Sequence, residues 1–292
     1  MTLQIALQLL VAGLSTGSIY GLVGLGLVMA FKGTGLLNFA QGEFVTLGAY
    51  IALFLTVLTP LPFYAVFILT LLLAALFGAI LERVLLRPLV KAPIFSVVIA
   101  TLAIGLIIKN VLRLSWQESL STLPSPFANE LLLLGPIRIN EQYAWVIGCT
   151  VVLTIGLAVF FRGSLTGKAM RAVAQNREAA ALMGIPVNRM YSFTIAMSTV
   201  VGALAGMLVA PLTGVEAEMG SVVIKGFVAA IVGGFYSMPG ALAGGLLLGV
   251  LETFSGIYVG GVFKNLVAFL LLIVILLIRP HGLFGRAEAR RV

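Results

Sequence analysis

The chain holds one histidine, His281, one cysteine, Cys149, and ten acidic residues, all of them glutamate. A Cys/His metal centre needs several such ligands together and a disulfide framework needs pairs, so neither can be built within the chain. An aspartate dyad or an aspartate-oriented histidine lacks its parts, which argues against self-contained hydrolysis. The stretch Gly163-Ser164-Leu165-Thr166-Gly167-Lys168-Ala169 is a near miss for a phosphate loop. A working loop spaces its glycines G-x-x-x-x-G-K and follows the lysine with Ser or Thr, whereas here the spacing is short and alanine follows. The chain is therefore not expected to be an enzyme or to hydrolyse ATP. The polar groups with another use are those that abut apolar runs: Asn38, Gln41 and Glu43 in one place, Ser237 beside Pro239 in another, and Glu252 inside a run. Polar groups at membrane depth usually face a cavity or a partner. Asn38, Gln41 and Glu43 read either as the lining of a gate or as a solvated helix start in which Glu43 meets the positive helix end.

What must position these groups is a set of membrane helices. Only 10% of the residues are charged and mean hydropathy is +1.16, against about 25% charged residues in a soluble domain. Apolar runs near the roughly 20 residues that cross a bilayer are expected at Ile5–Phe31, Phe44–Leu58, Phe63–Leu81, Ile94–Leu112, Tyr143–Phe161, Tyr191–Leu212, Val222–Phe235, Ala241–Val259 and Val262–Ile278. The fold class is thus all-α, a single polytopic transmembrane domain over residues 1–292 with about eight to nine membrane segments, some broken or re-entrant, and a polar segment outside the membrane. The first run lacks a charged start and is expected to be a retained span rather than a signal peptide.

Thirteen of the eighteen cations fall on one side if the spans alternate: Lys32; Arg83, Arg87 and Lys91; Arg162, Lys168, Arg171, Arg177 and Arg189; Arg279, Arg286, Arg290 and Arg291. That side should be cytoplasmic, with the C-terminus on it. The other connections carry Glu118, Glu130, Glu141, Glu216 and Glu218. Lys109, Arg113 and Lys264 stand near enough to span ends to snorkel. Glycines four apart, Gly13-Gly17-Gly21, Gly202-Gly206, Gly240-Gly244, Gly245-Gly249 and Gly256-Gly260, clear helix faces for close approach, either within the fold or against a second subunit.

Two stretches break the apolar pattern, Gly33 to Glu43 and Gly233 to Gly240, each before a small-residue span. They read as paired discontinuities along a transport path or as turns between helices. The polar segment about 162–190 contains Gly167 to Pro186, read as one short helix outside the membrane that Gly184 and Pro186 stop. Its small apolar face suits docking on another protein or lying on the membrane surface.

Asn38-Phe39-Ala40-Gln41-Gly42-Glu43, the alanine-rich stretch ending Leu182-Met183-Gly184-Ile185, Gly233-Gly234 through Ser237-Met238-Pro239-Gly240-Ala241, and the closing Arg279-Pro280-His281-Gly282-Leu283-Phe284-Gly285 occur in an order that resembles the LivHM family, closer to its H-type member. The resemblance implies a permease subunit of an ABC importer for branched-chain or other hydrophobic amino acids in the bacterial inner membrane. It also implies partners: a second homologous permease, two cytoplasmic ATPases that use ATP and Mg, and a solute-binding protein that Glu216 and Glu218 could meet. This chain itself would hold no cofactor. By the resemblance, Arg171, Ala174, Gln175, Glu178, Ala179, Leu182, Met183 and Gly184 would couple to the ATPase; the polar groups of the two breaks, Asn38, Gln41, Glu43, Ser237 and Pro239, are expected to line the path or gate. Importers of urea, short amides or other amino acids share the pattern, and a secondary transporter or channel is the alternative of a different class, one that should place more ionisable residues mid-span.

Overall fold

The computed structural model describes residues 3–90, 92–116, 122–125, 127, 131–134, 137–260 and 264–285. Lys91, Glu118, Glu130, Arg286, Arg290 and Arg291, counted above for charge, lie outside the described residues, as does the expected start of the last span at Val262.

The helices are α1 (Leu3–Thr34), α2 (Gln41–Leu58), α3 (Phe63–Leu81), which runs through a π-turn at Glu82–Leu86 into the one-turn α4 (Arg87–Leu89), α5 (Ile94–Ser115), α6 (Glu141–Gly163), α7 (Leu165–Gln175), α8 (Arg177–Leu182), α9 (Val187–Thr213), α10 (Val222–Gly233), α11 (Met238–Tyr258) and α12 (Lys264–Ile278). Seven of the described helices are long and apolar enough to cross a membrane, and the α10 and α12 regions supply two shorter apolar ones. These nine match the nine expected runs one for one. Lipid offers backbone groups no partners, so each apolar run closes its own hydrogen bonds as helix. Their starts are local chemistry: Pro62, Pro93 and Pro186 precede α3, α5 and α9, where a missing N–H costs nothing. The side chains of Asn140, Ser164 and Ser237 accept from the first-turn amides of α6, α7 and α11. An antiparallel pair, β1 (Leu131–Leu134) and β2 (Ile137–Asn140), precedes α6, and the sequence reading did not anticipate it.

The tightest seam joins α1 to α11. A Cβ on Gly13 would lie 2.8 Å from the Val250 Cα, and one on Gly17 would lie 2.7 Å from the Gly245 carbonyl. The expected ladders at Gly13-Gly17-Gly21 and Gly245-Gly249 thus pack on each other within this one chain. Gly202 and Gly206 close on Phe44 and Val45 of α2 in the same way. Gly260 does not extend a ladder, because α11 ends at Tyr258 and none of the described residues comes within 4 Å of where a Gly260 side chain would stand. The main buried cluster lies where α1, α2 and α9 meet, around Leu22, Leu25, Met29, Phe44, Ile195 and Leu208. Large apolar side chains of α3, α5, α6 and α12, such as Ile68, Leu106, Val152 and Leu277, point outward, as lipid-facing residues do.

Along the chain the passes alternate, so that Lys32, Arg83, Arg87, Arg162, Lys168, Arg171, Arg177, Arg189 and Arg279 gather at one end of the bundle, here called the basic face. The segment after α12 folds back under α10 there, with Leu283 N–H and Phe284 N–H donating to the carbonyls of Val232 and Gly233.

Candidate functional site

Two helices, α2 and α10, begin inside the bundle, and their starts meet. The side-chain amide of Gln41, the first residue of α2, donates to the Ser198 carbonyl at 3.0 Å, and Ser198 Oγ stands 2.7 Å from Gln41 Oε1 and 2.8 Å from the Gly26 carbonyl. Gly26 lies eight residues before the end of α1, about 12 Å at the helical rise. The connector between α1 and α2 therefore climbs back into the bilayer before α2 begins. From the opposite face, the chain after α9 descends through a 3-10 turn at Met219–Ser221 into α10. Gly226 of α10 packs on Val23 and Gly24 of α1, which puts the start of α10 at mid-depth. Twelve residues of α10 reach about 18 Å, half a bilayer.

The first turns of α2 and α10 abut, pointing to opposite faces. A side chain on Gly42 would strike the Gly220 carbonyl, and one on Gly220 would strike the Glu43 carboxylate. Glu43 thus occupies the space that the missing Gly220 side chain leaves, with Oε2 accepting from Thr46 Oγ1 at 3.0 Å. A carboxylate is favourably placed at converging positive helix ends. On the rim, Lys109 of α5 donates to Glu218 at 2.6 Å, and Gly105 of α5 faces Ala40 and Glu43. Asn38 is buried, its Oδ1 accepting from Ala40 N–H at 3.1 Å while its Nδ2 has no hydrogen-bond partner among the described residues. Phe39 and Phe227 meet across the junction, ring centroids 6.0 Å apart.

Asn38, Gln41 and Glu43 therefore sit together at membrane depth. Ser237 and Pro239 do not join them. Ser237 caps α11 with its Oγ 3.1 Å from Gly240 N, and Pro239 occupies the first turn of that helix at the basic face. The structural counterpart of the Gly33 to Glu43 break is the descent from Gly214 to Ser221. Glu218 is exposed, as expected, on the rim of that junction.

The segment after α6 is two helices rather than the one expected. Asn176 takes an extended conformation, ends α7 and caps α8, its Oδ1 accepting from Ala179 N–H at 2.9 Å. Gly184, at φ +78°, reverses the chain so that Ile185 N–H reaches the Ala180 carbonyl. Gly167, Met170, Val173 and Ala180 face inward, Val173 and Ala180 against Tyr191 of α9. Arg171, Ala174, Gln175, Glu178, Ala179, Leu182, Met183 and Gly184 all face out. Leu182 is 89% exposed and Met183 82%, an apolar tip beyond the bundle.

Two further polar clusters escaped the sequence reading. Glu82, buried at the π-turn, accepts from both Nε and Nη2 of Arg87 (3.2 and 2.8 Å) and from Ser192 Oγ at 2.5 Å, which ties the end of α3 to the start of α9. Arg177 lies over the Tyr191 ring, 5.6 Å from its centroid. Inside the membrane, Lys225 of α10 donates to Glu252 of α11 at 2.6 Å and to Tyr20 of α1 at 3.2 Å. Glu82 and Arg87 are five residues apart on one continuous helix; no sequence spacing marks the other pairs, because their members stand on different helices.

Discontinuous helices that meet in the bilayer, beneath a ring of full crossings and beside an out-facing segment on the basic face, define a polytopic helical membrane protein of the transport class. Residues 9–277 match the family described as branched-chain amino acid transport system / permease component, and the chain belongs to that family. It is similar to the high-affinity branched-chain amino acid transport system permease protein BraD of Pseudomonas aeruginosa, at 33% identity with 98% of each chain covered. It is likewise similar to LivH of Escherichia coli, named in the same words, at 30% identity over 98% of this chain and 97% of that one. The fructose import permease protein FruG of Bifidobacterium longum is 27% identical over 75% of this chain and 67% of its own. The solved structure of PsaBC from Streptococcus pneumoniae in complex with Fab shares the fold, with a TM-score of 0.51 at 18% identity and 94% and 92% of the two chains covered.

Proposed function

We propose that this chain is one of two homologous permease subunits of an ABC importer that carries branched-chain or other hydrophobic amino acids across the bacterial inner membrane. The observation that carries the reading is the near full-length similarity to permeases named for those solutes. The basic face then turns to the cytoplasm, with α7, α8 and the C-terminus. Two partner ATPases supply ATP hydrolysis with its Mg, and an external binding protein delivers the solute.

Leu182 and Met183, exposed beyond the bundle, seat the segment α7–α8 in a groove of an ATPase. Closure of the ATPases drags that segment, and Val173, Ala180 and the Arg177–Tyr191 contact pass the displacement to α9. Because α9 holds the start of α2 through Ser198 and Gln41, the starts of α2 and α10 part or close around Glu43. Solute moves because the outward and inward states bind it differently.

The test is uptake of labelled leucine by proteoliposomes holding this chain with its co-purifying subunits and binding protein, with urea and acetamide as competitors. ATP-dependent leucine uptake that neither competitor reduces is expected, and Met183→Asp should cut it at least tenfold while the chain stays folded. Purification of the chain alone, moving leucine without ATP, would replace the reading with a secondary transporter. An unaltered rate in Met183→Asp would remove the docking role of α8.

A further inference from the structure

The ion pair inside the membrane is not needed to hold the bundle together. The Glu252 side chain is fully buried and Lys225 largely so, and Tyr20 beside them is 6% exposed. Charges at this depth are costly and are kept where they position or switch something. Around the pair, α1 and α11 are already joined backbone to backbone by glycine, so they move as one body. The half-helix α10 packs on that body through Gly226 against Val23 and Gly24 of α1 and through its Ala229 carbonyl against Gly244 of α11, and the ion pair sits at its first turn. This helix is twelve residues long, no side chain caps its first turn, and its start sets the position of Gly220 against Glu43. Lys225 stands in that first turn and reaches one residue on each half of the rigid pair, Glu252 of α11 and Tyr20 of α1, with its ammonium also 5.3 Å from the Tyr20 ring centroid.

We propose that Lys225 and Glu252 are positioning residues for translocation: their pairing fixes the register of α10 on the α1–α11 body, and so the depth at which α10 meets Glu43 and α2. Apolar replacements would leave the register of α10 to the shape of its glycine contacts, which tolerate small shifts and so a range of registers. A single short ion pair has one. The inference deepens the importer reading and rests on it for the uptake part of its test.

The test uses the complete complex with Cys149 replaced by serine, and cysteines in place of Phe39 and Phe227, which face each other across the junction. A short bifunctional thiol reagent then reports register directly, as the fraction of folded chain cross-linked. The pair is replaced as a unit by Lys225→Met with Glu252→Met, which leaves no uncompensated charge behind. The expected result is a normal yield of assembled complex, a cross-linked fraction at least fivefold lower, and leucine uptake per ATP hydrolysed at least fivefold lower. Cross-linking and coupling both within twofold of the parent would overturn the proposal, since a pair that only stabilises the fold would leave the register of folded molecules alone. Should that double variant fail to assemble, the swapped pair Lys225→Glu with Glu252→Lys decides. The parental cross-link retained there supports the proposal, and its loss overturns it. A parent that cross-links but does not import leucine would overturn the importer reading and leave the register result standing.

Discussion

Glycine does opposite things on α11 and on α6. On α11, Gly245 and Gly249 lie against the backbone of α1 at Gly17 and Gly21, with no room for a methyl group. On α6, Gly148 and Gly156 have nothing within 4 Å of where a side chain would stand. Both helices are apolar spans of similar length, so composition does not separate them. The difference is what lies opposite. In lipid, helices gain little by hiding apolar surface from one another and associate where small residues let backbones touch. The α1–α11 seam is built this way, and it is the rigid body from which the half-helix α10 hangs, whereas α6 presents its outer side to whatever surrounds the protein.

The harshest way to break the comparison is Gly249→Val. Its branched side chain would have to displace the backbone of α1 at Gly13 and Gly17, and overpacking of that kind costs about 3 kcal/mol. Loss of most folded chain is expected in size-exclusion profiles of solubilised membranes. A normal profile would show that the seam opens readily and is no rigid body.

A smaller effect is expected at the α2–α9 joint, where a side-chain hydrogen bond adds to the close glycine packing of Gly202 and Gly206. Gln41→Leu removes the amide that bonds to Ser198 while leaving the shape nearly unchanged, and it strands the Ser198 carbonyl in the interior. The expected cost is about 1–3 kcal/mol, read as a lower midpoint of heat-induced aggregation in detergent, with the fold retained. An unchanged midpoint would mean that the start of α2 is held by packing on Gly202 and Gly206 alone.

These two joints also mark what was legible in the sequence. The bilayer imposes one rule on every crossing, so hydropathy alone placed all nine apolar segments, and α3 begins and ends at Phe63 and Leu81 as the run does. The polar step Asn38-Phe39-Ala40-Gln41 was readable as a discontinuity because it interrupts that rule. Its partner was not. Gly214 to Ser221 looks like an ordinary connection carrying two glutamates, and it turns into the membrane only because Gly42 leaves room for Gly220 about 180 residues away in the chain. Ser237 and Pro239 resembled the break because a capped helix start and a broken helix use the same residue types. The split at Asn176 was open to reading, since asparagine three residues before an alanine run is an N-cap signal, but alanine, arginine and glutamate on both sides favour continuous helix. Lys225 and Glu252 could be seen only as isolated charges until two helices brought them to 2.6 Å.

The smallest effect should come from α6, and it is the one that sharpens the comparison most. Gly156→Ala fills space that is empty in the single chain and removes the conformational freedom that makes glycine a poor helix residue, so a change of no more than about 1 kcal/mol, if anything stabilising, is expected. Gly156→Leu should be as harmless to folding, because a larger apolar side chain there simply enters the lipid. The same variant reads the environment of α6 in the assembled transporter. If α6 faces lipid, Gly156→Leu should co-purify with the proposed second permease to the same extent as the parent. If it folds normally but loses that subunit, the open side of α6 is the face where the two permeases meet, and its glycines serve between chains as those of α11 serve within one.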